Sequence, residues 1–104
     1  MSLTVNVVPQ PDVTVVSLSG EVTVKTYRQL TEVADALAQQ SPPPPKVRLD
    51  LAQLNYIDSV GLGSLIKVFT TLKRAGTELV LASVAPAIRD SLALTKLDKL
   101  LAIE

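Results

Sequence analysis

The chain has no cysteine and no histidine among its 104 residues, and aromatic residues make up only 3% of it. Without cysteine there are no disulfides, which suits a reducing compartment. With both residue types missing, a zinc site lacks its usual ligands, and neither a Ser-His-Asp nor a Cys-His catalytic unit can be assembled. Acid-base chemistry near neutral pH would rest on carboxylates or lysines of shifted pKa, and no convincing pair of these is visible. The expectation is a protein that is not an enzyme. Scarce aromatics leave few platforms for base stacking. Charge of one sign does not dominate either: Lys plus Arg number 10, as do Asp plus Glu, and no basic tract stands out. Direct nucleic-acid binding is therefore not expected. No apolar run reaches the length of a membrane span. Met1 to Pro9 alternates apolar and polar residues, without the basic start and apolar block of a signal peptide. A cytoplasmic protein with no membrane partner is expected.

What is present is aliphatic. The hydrophobic content of 47% is mainly Val, Leu and Ala, enough for one domain spanning residues 1–104. Leu3, Val5 and Val7 alternate with polar residues and predict a half-buried strand. Pro9-Gln10-Pro11-Asp12 punctuates it, and Val13 to Leu18 predicts a second strand ending at Ser19-Gly20. A helix follows, with Thr23 or Thr26 as its cap. Tyr27, Leu30, Val33 or Ala34, and Leu37 form its apolar face, and the helix stops at Pro42 to Pro45 because proline lacks the amide proton. Lys46 to Leu51 predicts a third strand, with Leu54 and Ile57 in a short connection. A second helix starts at Ser59, carries a stripe of Leu62, Leu65, Ile66, Phe69 and Leu72, and stops at Gly76. Thr77 to Ser83 predicts a fourth strand. A third helix has Pro86 in its first turn, with Ile88, Leu92 and Thr95 inward. Leu97 to Ile103 closes as either a short strand or a last helical turn. Strand-helix-strand units imply parallel pairing with right-handed crossovers. The fold class is α/β: a mixed four- or five-stranded sheet with helices packed against it.

Chemistry concentrates in Leu54 to Leu65. Asp58 or Ser59 is the natural cap of the second helix, worth about 1 kcal/mol. Gly61 and Gly63 are unusual in a first turn, since each weakens a helix by roughly 1 kcal/mol relative to alanine. They point either to close approach of a partner or to tight packing within the fold. The Gly-Leu-Gly run is not a dinucleotide fingerprint, because Ile66 stands where Gly or Ala is needed. No Walker lysine and no nucleophile elbow is present. Elsewhere, Asp50 sits at a strand end as either a pocket residue or a hydrogen-bonded loop carboxylate. Ser64 faces packing or solvent. Tyr56 is a partner contact or a core tyrosine. Pro42 to Pro45 reads as a stiff, exposed connector.

The segment Ile57-Asp58-Ser59-Val60-Gly61-Leu62 resembles the phosphorylation loop of the STAS family of anti-sigma factor antagonists. Gly20-Glu21-Val22 is similar to the family's turn after the second strand, and Val47 to Leu51 to its apolar strand ending in Asp and Leu. Gly76 to Leu79 resembles its glycine-then-strand step, and Leu94 to Asp98 its late helix. The resemblance covers nearly the whole chain. It implies that Ser59 is the phosphorylated hydroxyl and Asp58 its acidic neighbour. Val60, Gly61 and Leu62 would shape the loop and the partner-facing helix start. Thr23 would join this partner-binding set at a position where the family usually has an acidic or amide residue. The implied partner is an anti-sigma factor with an ATP-binding serine kinase fold. It binds the unmodified antagonist, releases its sigma factor, and then ends the complex by phosphorylation, so transcription in a bacterium is regulated indirectly. ATP and magnesium would belong to the partner, and no cofactor is expected for this chain. Two other readings stay open on these residues. One is a STAS scaffold or adaptor in a stress-signalling or transporter complex. The other is a small nucleotide- or ligand-binding α/β protein using the helix start at Ser59 as an anion site.

Overall fold

The computed structural model describes residues 2–104. The elements run β1 (Leu3–Pro9), β2 (Thr14–Val22), α1 (Tyr27–Ala38), β3 (Lys46–Ile57), α2 (Ser59–Arg74), β4 (Glu78–Ala82), α3 (Pro86–Leu94), a 3-10 turn (Leu97–Lys99) and β5 (Ala102–Ile103). The strands lie in the order β1-β2-β3-β4-β5. β1 and β2 form an antiparallel hairpin, and the later neighbours, each separated by a helix, pair parallel. This is the expected α/β architecture with a mixed sheet.

Period-two patterning sets which face is covered. Thr14, Val16 and Leu18 are buried, while Val15 and Ser17 between them are half-exposed. Val16, Val47 and Leu49 meet Leu30, Ala34 and Leu37 of α1 and Val68 and Leu72 of α2. The opposite face carries Ser17, Arg48 and Asp50, all half-exposed. At its far end the sheet closes through Glu104, whose amide donates to the Leu81 carbonyl at 2.8 Å and whose carboxylate meets Arg48 at 2.9 Å.

Several boundaries differ from the pattern-based expectation. β2 does not end at Ser19-Gly20. It continues to Val22, absorbing Gly20 at φ +112° and a register shift between Gly20 and Glu21. β3 likewise runs through the supposed connection to Ile57. Its apolar alternation breaks after Leu51, because β2 and β3 shift register between Ser17 and Ser19 and the ladder then resumes at Gln53. On α2, Val68 rather than Ile66 faces the core: Val68 is 3% exposed and Ile66 38%. Thr95 is exposed and bonds back to the carbonyls of Ser91 and Leu92 instead of facing inward. The proline run is not simply an exposed connector. Pro44 is buried and its carbonyl accepts the Thr77 hydroxyl at 2.6 Å, while the Pro45 carbonyl accepts the Glu78 amide. The C-terminal segment uses both alternatives, a helical turn and then a strand. The stop at Gly76 is as read: φ is +82°, and the amides of Gly76 and Thr77 bond to the Lys73 and Leu72 carbonyls in a Schellman arrangement.

Candidate functional site

β2 and β3 end side by side, with Val22 opposite Ile57. The next residue, Asp58, keeps an extended backbone and donates its amide to the Val22 carbonyl at 3.2 Å. It is the N-cap of α2. Its Oδ1 accepts the Gly61 amide at 2.8 Å, and its carbonyl accepts the Leu62 amide at 2.9 Å. The other carboxylate oxygen, Oδ2, reaches across to the β2–α1 loop and accepts the Val24 amide at 3.1 Å. One side chain thus caps a helix and ties a second loop to its start. Of the two cap candidates, the structure uses Asp58.

Ser59 is left free by that choice. It occupies the first helical position, is exposed, and its hydroxyl has no hydrogen bond among the described residues. The Ser59 and Val60 amides likewise meet no acceptor there, as first-turn amides do unless a side chain or ligand supplies one. Val60 is 39% exposed beside them and Leu62 is half-buried. Gly61 lies underneath. A Cβ built on it would overlap the Val22 carbonyl oxygen and stand 2.6 Å from Ile57 Cγ1, so the close approach of α2 to the end of β2 requires glycine. Gly63 differs: it is exposed, and a Cβ there would meet nothing within 4 Å. Ser64 packs inward, its hydroxyl donating to the Gly61 carbonyl at 2.6 Å.

The β2–α1 loop is internally braced. Thr26 Oγ1 accepts the Thr23 amide at 2.9 Å and donates to the Glu21 carbonyl at 2.8 Å. The Thr23 carbonyl accepts the amides of Thr26 and Tyr27. Thr23 is 3% exposed and its hydroxyl accepts the Lys25 amide, so the surface of this loop is presented by Val24, which is 60% exposed. Val24 was not singled out from the sequence. Only its bond to Asp58, contributed from 34 positions away, ties it to the start of α2. Neither Thr23 nor Thr26 caps α1 through a side-chain oxygen. Tyr56, just before the loop, is 50% exposed and pairs with Glu21 across the ladder. At the start of α1 the Arg28 guanidinium lies over the Tyr27 ring and beside its hydroxyl, holding that phenol below its ordinary pKa. Asp50 is a local carboxylate whose Oδ1 accepts the Ala52 amide at the β3 irregularity. Among the described residues no group of His, Cys, Asp and Glu could hold a metal ion, and no helix is long and apolar enough to cross a membrane.

The site is therefore an exposed hydroxyl on a rigid helix start, with open amides beside it and Val24 and Val60 as an apolar flank. A model of the STAS domain matches residues 4–104. An anti-sigma factor antagonist from Mycobacterium paratuberculosis is 33% identical, over 98% of this chain and 85% of that one, with a TM-score of 0.80. The Bacillus cell fate determinant SpoIIAA in its phosphorylated form matches at 16% identity over 99% and 91% of the two chains, with a TM-score of 0.72. The murine anion transporter Solute Carrier 26 family member A9 matches over 86% of this chain but 15% of its own, at 13% identity and a TM-score of 0.76. These last two show the fold alone. With the matched segment running from β1 through the Asp58–Ser59 loop to the last residue, this chain belongs to the STAS domain family.

Proposed function

We propose that this chain is an anti-sigma factor antagonist: a binding module that docks on a kinase-fold anti-sigma factor while Ser59 is unmodified and is released when Ser59 is phosphorylated. The observation that carries the reading is the pairing at the start of α2. Asp58 caps α2 with Oδ1 and holds the Val24 amide with Oδ2, and the hydroxyl next to it is exposed and unbonded among the described residues. Support also comes from the 33% identical antagonist, whose match spans 98% of this chain and 85% of its own.

The switch has a physical basis in that geometry. A phosphate on Ser59 would sit at a helix N-terminus, where free amides and the positive end of the helix dipole favour an anion. The domain should tolerate the modification. The added charge, about −1.5 to −2 near neutral pH, would instead act on docking. It would stand beside the Asp58 carboxylate on a surface that must lose water to bind, with Val24 and Val60 as its apolar part. Repulsion and desolvation would fall on the complex. Asp58, Ser59, Val60 and Leu62 would form the docking edge, with Gly61 and Thr23 shaping it from below. ATP would be the partner's substrate.

The test is incubation with the kinase-fold anti-sigma factors of the same genome and ATP, then peptide mapping. Phosphate on the peptide holding Ser59, lost in Ser59→Ala, is the expected result. Ser59→Asp should lower partner affinity by about tenfold or more, equivalent to roughly 1.4 kcal/mol, with little change in Tm. Unchanged affinity in calorimetric titration, or gross unfolding of Ser59→Asp, would defeat the proposal. Tight binding of a nucleotide by the chain alone would favour the ligand-binding reading.

A further inference from the structure

β1 pairs with β2 on one side and lies at the edge of the sheet on the other. Natural edges are usually blunted by charge, bulges or a covering element. β1, with the sequence Leu-Thr-Val-Asn-Val-Val-Pro, has no charged residue. Its register with β2 is unbroken from Leu3 opposite Gly20 to Pro9 opposite Thr14. Val7 and Val8 on it are 38% and 42% exposed.

The ladder decides which backbone groups face outward. The Glu21 amide donates to the Ser2 carbonyl, and the Gln10 amide to the Val13 carbonyl. Bonded pairs alternate along an antiparallel ladder. The even-numbered residues therefore bond to β2, while Leu3, Val5, Val7 and Pro9 turn their backbone groups to the free edge. Two of those groups are already accounted for. Pro9 has no amide proton, and the Leu3 carbonyl accepts Gln29 Nε2 at 2.7 Å. What remains is the amides of Leu3, Val5 and Val7 and the carbonyls of Val5, Val7 and Pro9, as many donors as acceptors.

We infer that this edge pairs antiparallel with β1 of a second copy of the chain, about a two-fold axis through Asn6. In that register Val5 exchanges both backbone bonds with Val7 of the second copy, and the Leu3 amide donates to the Pro9 carbonyl. The bond that proline cannot make would have gone to the Leu3 carbonyl, which Gln29 already satisfies. No outward group is left without a partner. Neighbouring registers fail this condition. Val7 opposite itself puts Pro9 opposite Val5, whose carbonyl then lacks a donor. Val5 opposite itself aims the Val7 amide at the carbonyl that Gln29 holds. The side chains agree with the register. Asn6 meets itself on the axis, and a carboxamide both donates and accepts, so it is complementary to its own copy. An uncharged strand brings no like charges together across the two-fold. The exposed Val7 is covered by Val5 of the second copy. The Asp58–Ser59 loop leaves the sheet from β3, two strands away, so the edge can pair while the docking site stays open.

Sedimentation velocity across a concentration series should show a monomer–dimer equilibrium. Val7 is exposed, and Val7→Pro removes an outward amide but no bond to β2, so it should keep its melting temperature within a few degrees and weaken the dimer at least about tenfold. Because the chain has no cysteine, Asn6→Cys introduces a lone thiol on the axis. Facing residues of such a non-bonded pair have Cα atoms about 4.5 Å apart, within disulfide reach. Mild oxidation should link Asn6→Cys into dimers and leave Thr4→Cys, which would face Val8, largely unlinked. A wild-type chain monomeric at the highest attainable concentration would overturn the inference. So would equal cross-linking of the two cysteine variants, or a dimer indifferent to Val7→Pro.

Discussion

Asp58 and the two glycines that follow it show how much a single position can decide. Gly61 is required by the chain itself, because the Val22 carbonyl occupies the place of a side chain. Gly61→Ala should cost about 1–3 kcal/mol through overpacking at the start of α2. Gly63 has open space around it, so Gly63→Ala should stabilise the fold by up to about 1 kcal/mol through helix propensity. Urea denaturation of the two variants should therefore give opposite signs. If the proposed partner's backbone lies against Gly63, the more stable variant will bind more weakly, which titration against a candidate anti-sigma factor would reveal. A glycine whose retention has no use within its own fold is a better pointer to a partner than one that is sterically enforced.

At the scale of elements, α2 is the support of the site, and its orientation depends on which residues anchor it. The buried set is Gly61, Ser64, Leu65, Val68 and Leu72. That stripe is rotated from the one that hydrophobicity alone selects, because Ser64 can be buried once its hydroxyl bonds back to Gly61. Val68→Ala should cost about 2 kcal/mol by removing buried methyl groups. Ile66→Ala should stay within about 0.5–1 kcal/mol, since Ile66 is 38% exposed. Chemical denaturation midpoints at constant m-value would check both. Equal losses would mean that α2 sits differently on the sheet. The same element explains why the helix could be read from residue patterns while its inward face was misjudged by one residue: a period of 3.6 leaves neighbouring apolar positions nearly equivalent until a sheet is placed beneath them.

For the whole molecule, stability and the proposed docking should be separable because they use different residues. The core is aliphatic and lies between the sheet and the helices, whereas the docking edge proposed above is a loop and a helix start. The one ion pair among the described residues joins Arg48 to Glu104 at 2.9 Å, with side chains 37% and 46% exposed. It clips the C-terminal end across β4. Arg48→Met should lower stability by less than about 1 kcal/mol, as exposed pairs contribute little, and the loss should shrink further in high salt. Thermal melts at low and high ionic strength would measure it. A larger, salt-insensitive loss would mean that the pair holds β5 in place rather than merely decorating the surface.

The α/β class, the element order as far as the third helix and the Gly76 stop were legible in the residues, and the α2 cap was narrowed to Asp58 or Ser59, because each follows from local rules: alternation, helical period, proline and glycine chemistry. Other features needed tertiary contacts. β3 runs past Leu51 because β2 continues alongside it as far as Val22. Pro44 is buried because Thr77, from 33 positions along the chain, donates to its carbonyl. Val24 joins the candidate site through a bond from Asp58. Residues distant in sequence act on one another only once the sheet brings them together, and a string of residue types does not record that distance.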